Sequence, residues 1–395
     1  MVLATTKRTI MRITFYYESL CLGGQQTYTL NTIRALRNAG HDVTLLCSSG
    51  GDLLPSFERE CKVIQLGLPL GHRGYRRRPW LLPLLVHRIR DAARASGAEA
   101  LLGGSALGTY LCGLAAVGLK LKVLWFIGGT IAQVNPSLPF WFRRIRFDRL
   151  VDGYLGWPEV FRELAILGVG GAKCFEFPNA VNTDFFRPGN AHAAAETRAR
   201  LGIPTEALVV GWVGRMGRKM QMGATVELVA LLARRGRCDV WLLAIGGGTE
   251  LERTREQARL AGVGDRSIFT DWVPYERVPE LIGAMDVVPL LEADPQGGSI
   301  LRETMACGGV AITVAGASGS QERFISSETG VLLSPHRFLN EAADFLTPRL
   351  SGCEDFQRIG CAARKYALES MSFGAVAVSI EDALARLHAG ALIEA

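Results

Sequence analysis

Short apolar runs that close on glycine alternate with longer segments of helical period along nearly the whole chain, and this alternation limits the fold most. Strand-length runs joined by helices pair in parallel, so the pattern predicts doubly wound α/β architecture. RITFYY, from Arg12, reads as a first strand and is followed by a Gly23-Gly24 turn. A helix with Leu30, Ile33 and Leu36 on one face comes next, and Gly40 stands as its C′ residue before the strand DVTLLCS. EALLGG and KVLWFIGG are further strands, each ending in a glycine pair.

A second series begins after FPNAVNTDFFRPGNAHAAAETRARLGIP. ALVVGWVG, CDVWLLAIGGG, SIFTDWV, DVVPLLE and VAITVAG read as strands, with GATVELVALLARRG, TELERTREQARLAG, VPELIGAM and SILRETMACG as helices. A length of 395 residues suits two such units, which meet near 180–205. We expect an N-terminal Rossmann-like domain over 11–185 and a C-terminal Rossmann-like domain over 186–365. The amphipathic stretch from about Phe356 is expected to carry a C-terminal helix, 366–395, back onto the first domain. In open α/β sheets ligands bind outside the carboxyl ends of the strands, so the expected site is a cleft between the units.

Composition removes other classes. A 48% hydrophobic, 21% charged chain is neither disordered nor fibrous. Nine cysteines are too sparse for a disulfide scaffold, and none forms C-x-x-C or has zinc spacing. Cys21, Cys47, Cys112, Cys238 and Cys307 are expected as small buried residues in a reducing compartment. No apolar run approaches the roughly 20 residues of a membrane span, and MVLATTKRTI lacks a signal-peptide core. The expected location is cytoplasmic, peripheral at the inner membrane face.

Three features of the second series carry chemistry. GRMGRK follows a strand and places Arg215, Arg218 and Lys219 where cations suit a diphosphate; a solvated loop is the plainer alternative. AIGGGTELE sets Gly246, Gly247 and Gly248 between strand and helix. Leu251 stands where a dinucleotide fingerprint needs glycine, so these residues read as permitting a tight turn. In DPQGGSILRETMACG, Gly297 and Gly298 open a helix near Ser299, and unpaired N–H groups at a helix start attract anions. Glu303, one turn on, is placed to accept from ribose hydroxyls, or is simply a surface residue. No D-x-D pair exists to hold a divalent ion, so a nucleotide diphosphate would be neutralised by cations and the helix dipole, with no cofactor and no metal.

From Arg12 to about Leu387 the chain resembles glycosyltransferase family 4, retaining enzymes of the GT-B fold. The resemblance rests on GGQQTYTLNTIRALRNAGHDV, FPNAVNTDFFRP, VGWVGRMGRK, LLAIGGGTELERT, IFTDWVPYERVPELIGAMDVVPLL, ETMACGGVAITVAGASGSQE and SSETGVLLSP, in that order. It implies that Arg215, beside Gly214 and with Lys219 as companion, meets the donor diphosphate. Glu303 is similar to the family glutamate on the ribose. Gly298, Ser299 and Ile300 match the positions whose backbone amides hold phosphates, and Gly246 and Gly297 are expected among the donor-binding residues. Asp271-Trp272-Val273 matches the loop whose backbone faces the nucleobase. Gly23 and Gly24 match the first-domain glycine loop that approaches donor phosphate and acceptor.

The chain departs from the family at defined places. Pro295 stands where the first of two family glutamates is usual, leaving Asp294 and Glu292 as carboxylates out of register. Met220 holds the usual lysine position. Ile127, Gly128 and Gly129 replace a common histidine, and Gly103 and Gly104 replace another. In the mechanism this resemblance implies, the acceptor attacks the face from which the nucleotide leaves, and the departing phosphate takes the proton. A carbonyl near Gly128 would steady charge on the sugar.

Two basic stretches lie in the first half. One carries Arg73, Arg76, Arg77, Arg78, Arg88 and Arg90 beside Trp80; the other carries Arg143, Arg144, Arg146 and Arg149 among aromatics. Cations flanked by aromatics suit an anionic membrane surface, and a solvated helix face is the alternative. No nucleic-acid module accompanies them, so no nucleic-acid partner is expected. The expected activity is retaining transfer from a nucleotide diphosphate sugar, UDP-sugar favoured and GDP-mannose possible, to a glycan or lipid-linked acceptor. A soluble natural-product acceptor, a non-catalytic partner of another transferase and a nucleotide-sugar epimerase are the alternatives.

Overall fold

The computed structural model describes residues 10–21, 24–68, 78–127, 147–217, 222–291, 299–316 and 324–390. The chain divides into two compact units, one of residues up to Asn179 together with those from Phe373 on, the other Ala180–Ser372. The first runs β1 (Arg12–Ser19), α1 (Gly24–Asn38), β2 (Asp42–Ser49), α2 (Leu54–Glu60), β3 (Lys62–Gln65), α3 (Leu82–Ala95), β4 (Ala100–Gly103), α4 (Ala106–Ala116), β5 (Lys122–Phe126), β6 (Gly153–Gly156), α5 (Pro158–Ile166) and β7 (Cys174–Glu176). The second runs α6 (Ala191–Leu201), β8 (Leu208–Val213), α7 (Gly223–Arg234), β9 (Val240–Ile245), α8 (Leu251–Leu260), β10 (Ser267–Phe269), α9 (Val278–Gly283), β11 (Val287–Leu290), α10 (Ser299–Ala306), β12 (Val310–Val314), β13 (Val331–Leu333), α11 (Phe338–Leu346) and α12 (Glu354–Ser370). Helix α13 (Phe373–Ala389) follows and belongs to the first unit.

Each unit is built on one parallel sheet, ordered β3-β2-β1-β4-β5-β6-β7 in the first and β10-β9-β8-β11-β12-β13 in the second. Central strands of such sheets are covered on both faces, which is why β1 and β8 are near-continuous apolar runs rather than alternating ones. Six successive residues of β1, Ile13 to Glu18, are buried. Phe15, Leu45 and Val210 are wholly buried, each side chain of this kind contributing roughly 1.5–3 kcal/mol. Of the cysteines expected inside, Cys47, Cys112 and Cys307 are buried, but Cys21 and Cys238 are exposed: Cys21 follows the end of β1 and Cys238 precedes β9, outside the covered strands.

Local signals end the helices where the sequence suggests. Gly40 takes φ +94° after α1; its N–H donates to the Arg37 carbonyl, and the His41 N–H to the Leu36 carbonyl. That pair of bonds closes the helix end and turns the chain into β2.

The C-terminal stretch differs from a single helix. It breaks between Ser370 and Phe373, where Met371 is buried and its carbonyl accepts from the Val181 N–H. Helix α12 thus packs in the second unit, and only α13 packs against α1. There the buried His41 ring lies 2.8 Å from Glu381 while its Nδ1 accepts from the Met11 N–H, and Phe373 meets Tyr28 edge to face.

Candidate functional site

In the second sheet β8 lies between β9 and β11, so the chain winds outward in opposite directions from that point. The loops that leave the carboxyl ends of the strands part there, which opens a crevice for ligands. Arg215 leaves the end of β8, is exposed, and sits between two anchored neighbours. The Gly214 N–H donates to the Ile245 carbonyl and the Met216 N–H to the Gly247 carbonyl, 3.0 and 2.9 Å.

The glycines after β9 are required by this arrangement. Gly246 has φ +115°, and a Cβ on it would lie 2.0 Å from the Gly214 carbonyl oxygen. A Cβ on Gly247 would lie 2.1 Å from Asp271 Oδ1 and 2.9 Å from Trp272 Nε1. Gly248, at φ +147°, has the Met216 carbonyl against it. The tight-turn reading therefore holds, and its cause is close backbone approach between successive loops.

The third loop follows β10. The Gly246 N–H donates to the Asp271 carbonyl at 3.0 Å, forming an isolated antiparallel bridge. Asp271 takes φ +58°, the one positive φ at a non-glycine among the described residues, and its Oδ1 accepts from the Trp272 N–H at 2.8 Å. Trp272 is 63% exposed, while Val273 packs against the core.

Helix α10 begins at Ser299, which is exposed; Ile300 is buried and anchors the first turn in the core. Glu303, one turn on, is half-buried rather than a solvated surface residue. Burial pushes its carboxyl up to about 7, opposed by the Arg302 charge and a hydrogen bond with Ser299. Burial also raises Tyr275, with the Glu303 charge second, and pushes the Cys307 thiol up to about 12. Tyr275 stacks on Phe185 at 4.7 Å, and Arg364 ties that segment to α10 by donating to the carbonyls of Thr183, Phe186 and Ala306.

The fold thus gathers Gly214, Arg215, Gly246, Trp272 and Val273 on three adjoining loops, with Ser299, Ile300 and Glu303 on the helix after β11. Lys219, Asp294, Gly297, Gly298, Gly23, Gly128, Arg76, Arg77, Arg143 and Arg144 lie outside the described residues. Gly24 opens α1. Sequence reasoning passed over Met216, Tyr275 and Phe185; an aromatic just after Asp271-Trp272-Val273-Pro274 was a usable signal for Tyr275.

Among the described residues, side chains of the first unit pack against the carboxyl end of its own β4. A Cβ on Gly104 would lie 2.0 Å from the Tyr17 ring, and one on Gly103 would meet Thr109 at 2.3 Å. Tyr17 is buried and shares a 2.6 Å hydrogen bond with Thr29. Gln25 donates to the Gly104 carbonyl, and Ser105 to the buried Glu18. Arg88 donates to the Leu66 carbonyl and Arg90 to those of Ala115 and Val117, so these two cations serve the unit's own backbone. Arg78 precedes a short 3-10 turn on which Trp80 is 69% exposed. Among the described residues no three His, Cys, Asp or Glu side chains group as metal ligands, and no helix is long and apolar enough to cross a membrane.

Known proteins match both units. The family described as Glycosyltransferase Family 4 matches residues 22–185, and that described as Glycosyl transferases group 1 matches 194–365. The 2-deoxystreptamine N-acetyl-D-glucosaminyltransferase of Streptomyces fradiae is 34% identical over 154 residues, 38% of this chain and 35% of that one. The D-inositol 3-phosphate glycosyltransferase of Acidothermus cellulolyticus is 30% identical over 216 residues, 51% and 46%. The chain thus spans between about a third and a half of the length of these relatives. The structure of Anabaena Alr3699/HepE in complex with UDP shares the fold, with a TM-score of 0.75 and 15% identity over 95% of this chain and all of that one. Matched in both units and in this order, the chain belongs to the family 4 glycosyltransferases of the GT-B fold.

Proposed function

We propose that the protein is a retaining glycosyltransferase that moves a sugar from a nucleotide diphosphate sugar, a UDP-sugar first, to a hydroxyl of a glycan or lipid-linked acceptor. One observation carries the reading: at the switch point of the second sheet, an exposed arginine, a glycine turn and a half-buried glutamate share one edge. Arg215, with Lys219, neutralises the charge that develops on the leaving phosphate. Glu303 accepts from the ribose, and the first turn of α10 offers unpaired N–H groups to the phosphates.

In the reaction, the bond from the anomeric carbon to phosphate oxygen breaks while a bond to the acceptor oxygen forms on the same face. The acceptor proton passes to the departing phosphate, so the configuration is retained and neither a side-chain base nor a metal is required. The first unit holds the acceptor. Relatives named for 2-deoxystreptamine and D-inositol 3-phosphate support a ring rich in hydroxyls, which makes a soluble polyol the principal variant.

Trp80, exposed next to Arg78, favours binding of the first unit to an anionic lipid surface at the cytoplasmic face. Vesicles containing anionic lipid should then retain the protein and release it in high salt; equal retention on neutral vesicles would remove the electrostatic part.

Isothermal titration with UDP, GDP and ADP, each with chelator and again with magnesium, tests the donor site. One diphosphate should bind without metal, and Arg215→Ala should weaken it about ten- to a hundredfold, the worth of a charge-assisted hydrogen bond. Glu303→Ala should weaken it as well. Failure of all three to bind would overturn the reading in favour of a non-catalytic partner.

A further inference from the structure

We propose that Glu18 selects an acceptor carrying a protonated amine, which deepens the transferase reading and rests on it for the ligand's role as acceptor. In the first sheet β1 lies between β2 and β4, so this unit has a switch point of its own, where ligands meet the strand ends. Glu18 stands near the end of β1 and Ser105 just after β4, both at that point. Side chains alternate along a strand, so Glu18 shares the face of Tyr16, which packs with Leu111 and Cys112 of α4.

Glu18 is 7% exposed. Among the described residues its carboxyl receives one hydrogen bond, from the Ser105 hydroxyl, and makes no ion pair. Ser105 is also the N-cap of α4, accepting from the Gly108 N–H at 2.8 Å. The positive end of that helix offsets about half a charge and leaves the rest uncompensated. Neighbouring groups feel the remainder. Burial raises the Tyr16 phenol and the Cys112 thiol, and the Glu18 charge is the next cause at both.

A buried carboxylate that serves only the fold looks different in this protein. The Asp286 side chain pairs with Arg198 at 3.0 Å and accepts from the Val209 N–H, the Ser351 hydroxyl and the Gly352 N–H. Buried charge persists where it is paired, because an unpaired one loses its hydration without return. Glu18 has lone pairs to spare and no cation, so its partner comes from outside the chain. An ammonium group supplies the charge and three donors in a compact head, whereas a phosphate would be repelled.

The test titrates wild type, Glu18→Gln and Glu18→Asp with glucosamine, glucose and N-acetylglucosamine at mildly acidic pH, where the free amine is protonated. Wild type should bind glucosamine about ten- to a hundredfold more tightly than either neutral sugar, the worth of a charge-assisted hydrogen bond. Glu18→Gln keeps an acceptor for Ser105 without the charge, so it should bind all three sugars alike. Glu18→Asp should keep part of the preference. Glu18→Gln should also melt no lower than wild type, since it removes a buried charge that the fold leaves unpaired.

Equal binding of the three sugars by wild type, or an undiminished preference in Glu18→Gln, would overturn the proposal. So would a marked drop in the melting of Glu18→Gln, because the fold itself would then be using the charge. Parallel titration with UDP, GDP and ADP keeps the two readings apart. Nucleotide binding without an amine preference leaves the donor site standing and removes this one. An amine preference without nucleotide binding leaves an amine site and removes its role in transfer.

Discussion

The two units share a winding pattern, but among the described residues they close the carboxyl ends of their strands in different ways. In the second unit, the loops after β8, β9 and β10 bind one another through backbone groups, and Arg215 and Trp272 remain exposed. In the first, Tyr17 covers Gly104, Gln25 donates to the Gly104 carbonyl and Ser105 donates to Glu18. Backbone closure leaves side chains available for a ligand, whereas closure by side chains spends them on the protein itself.

The largest effect should come from breaking the backbone closure. Gly246→Ala adds a Cβ 2.0 Å from the Gly214 carbonyl at a φ of +115°, with no flexible group to give way. We expect a loss of about 3 kcal/mol in the second unit, seen as a lower melting transition, together with loss of nucleotide binding. Near-normal melting would show that the loops are not locked as described.

Converting the first unit toward the family pattern is the next test. Gly104→His restores a histidine common in the family but drives it into the buried Tyr17 ring. Overpacking of this kind costs about 2 kcal/mol. The double variant with Tyr17→Ala should recover part of it, and additive losses in that cycle would mean the two positions do not compete for space.

The smallest effect concerns Glu303. Its carboxyl titrates at about 7 in the fold against an ordinary 4.5. Between those values the unfolded chain has released a proton that the folded chain still holds, so stability falls as pH rises through the window and the loss is complete above it. Glu303→Gln does not titrate, so its melting temperature should gain on wild type from pH 5 to pH 8. The gain is about 1 kcal/mol, below the full worth of such a shift because the group is half-buried. No change with pH would place Glu303 in a well-solvated position, and a change of opposite sign would mean that a cation or hydrogen bonds hold its carboxylate.

Much of the fold was legible because central parallel strands are written as continuous apolar runs. RITFYY, ALVVGWV and VAITV became β1, β8 and β12. Edge strands carry less signal: β3 is four residues, none fully buried, and β7 is three. The break at Met371 was hidden for another reason. Ser370, Met371 and Ser372 do not forbid a helix; what ends it is burial of Met371 beside Val181, a contact between residues far apart in sequence.

The sequence by itself determined the strand–helix alternation, the turns that need glycine, and the residue types available for a diphosphate, because these follow from local sterics and apolar period. Only the tertiary structure decided that Arg215, Gly247 and Trp272 adjoin, since strand order, not spacing along the chain, sets which loops touch. It also decided that Gly104 has no room for a histidine and that Glu303 is drawn partly out of water. Both depend on side chains from other segments, and no local pattern encodes them.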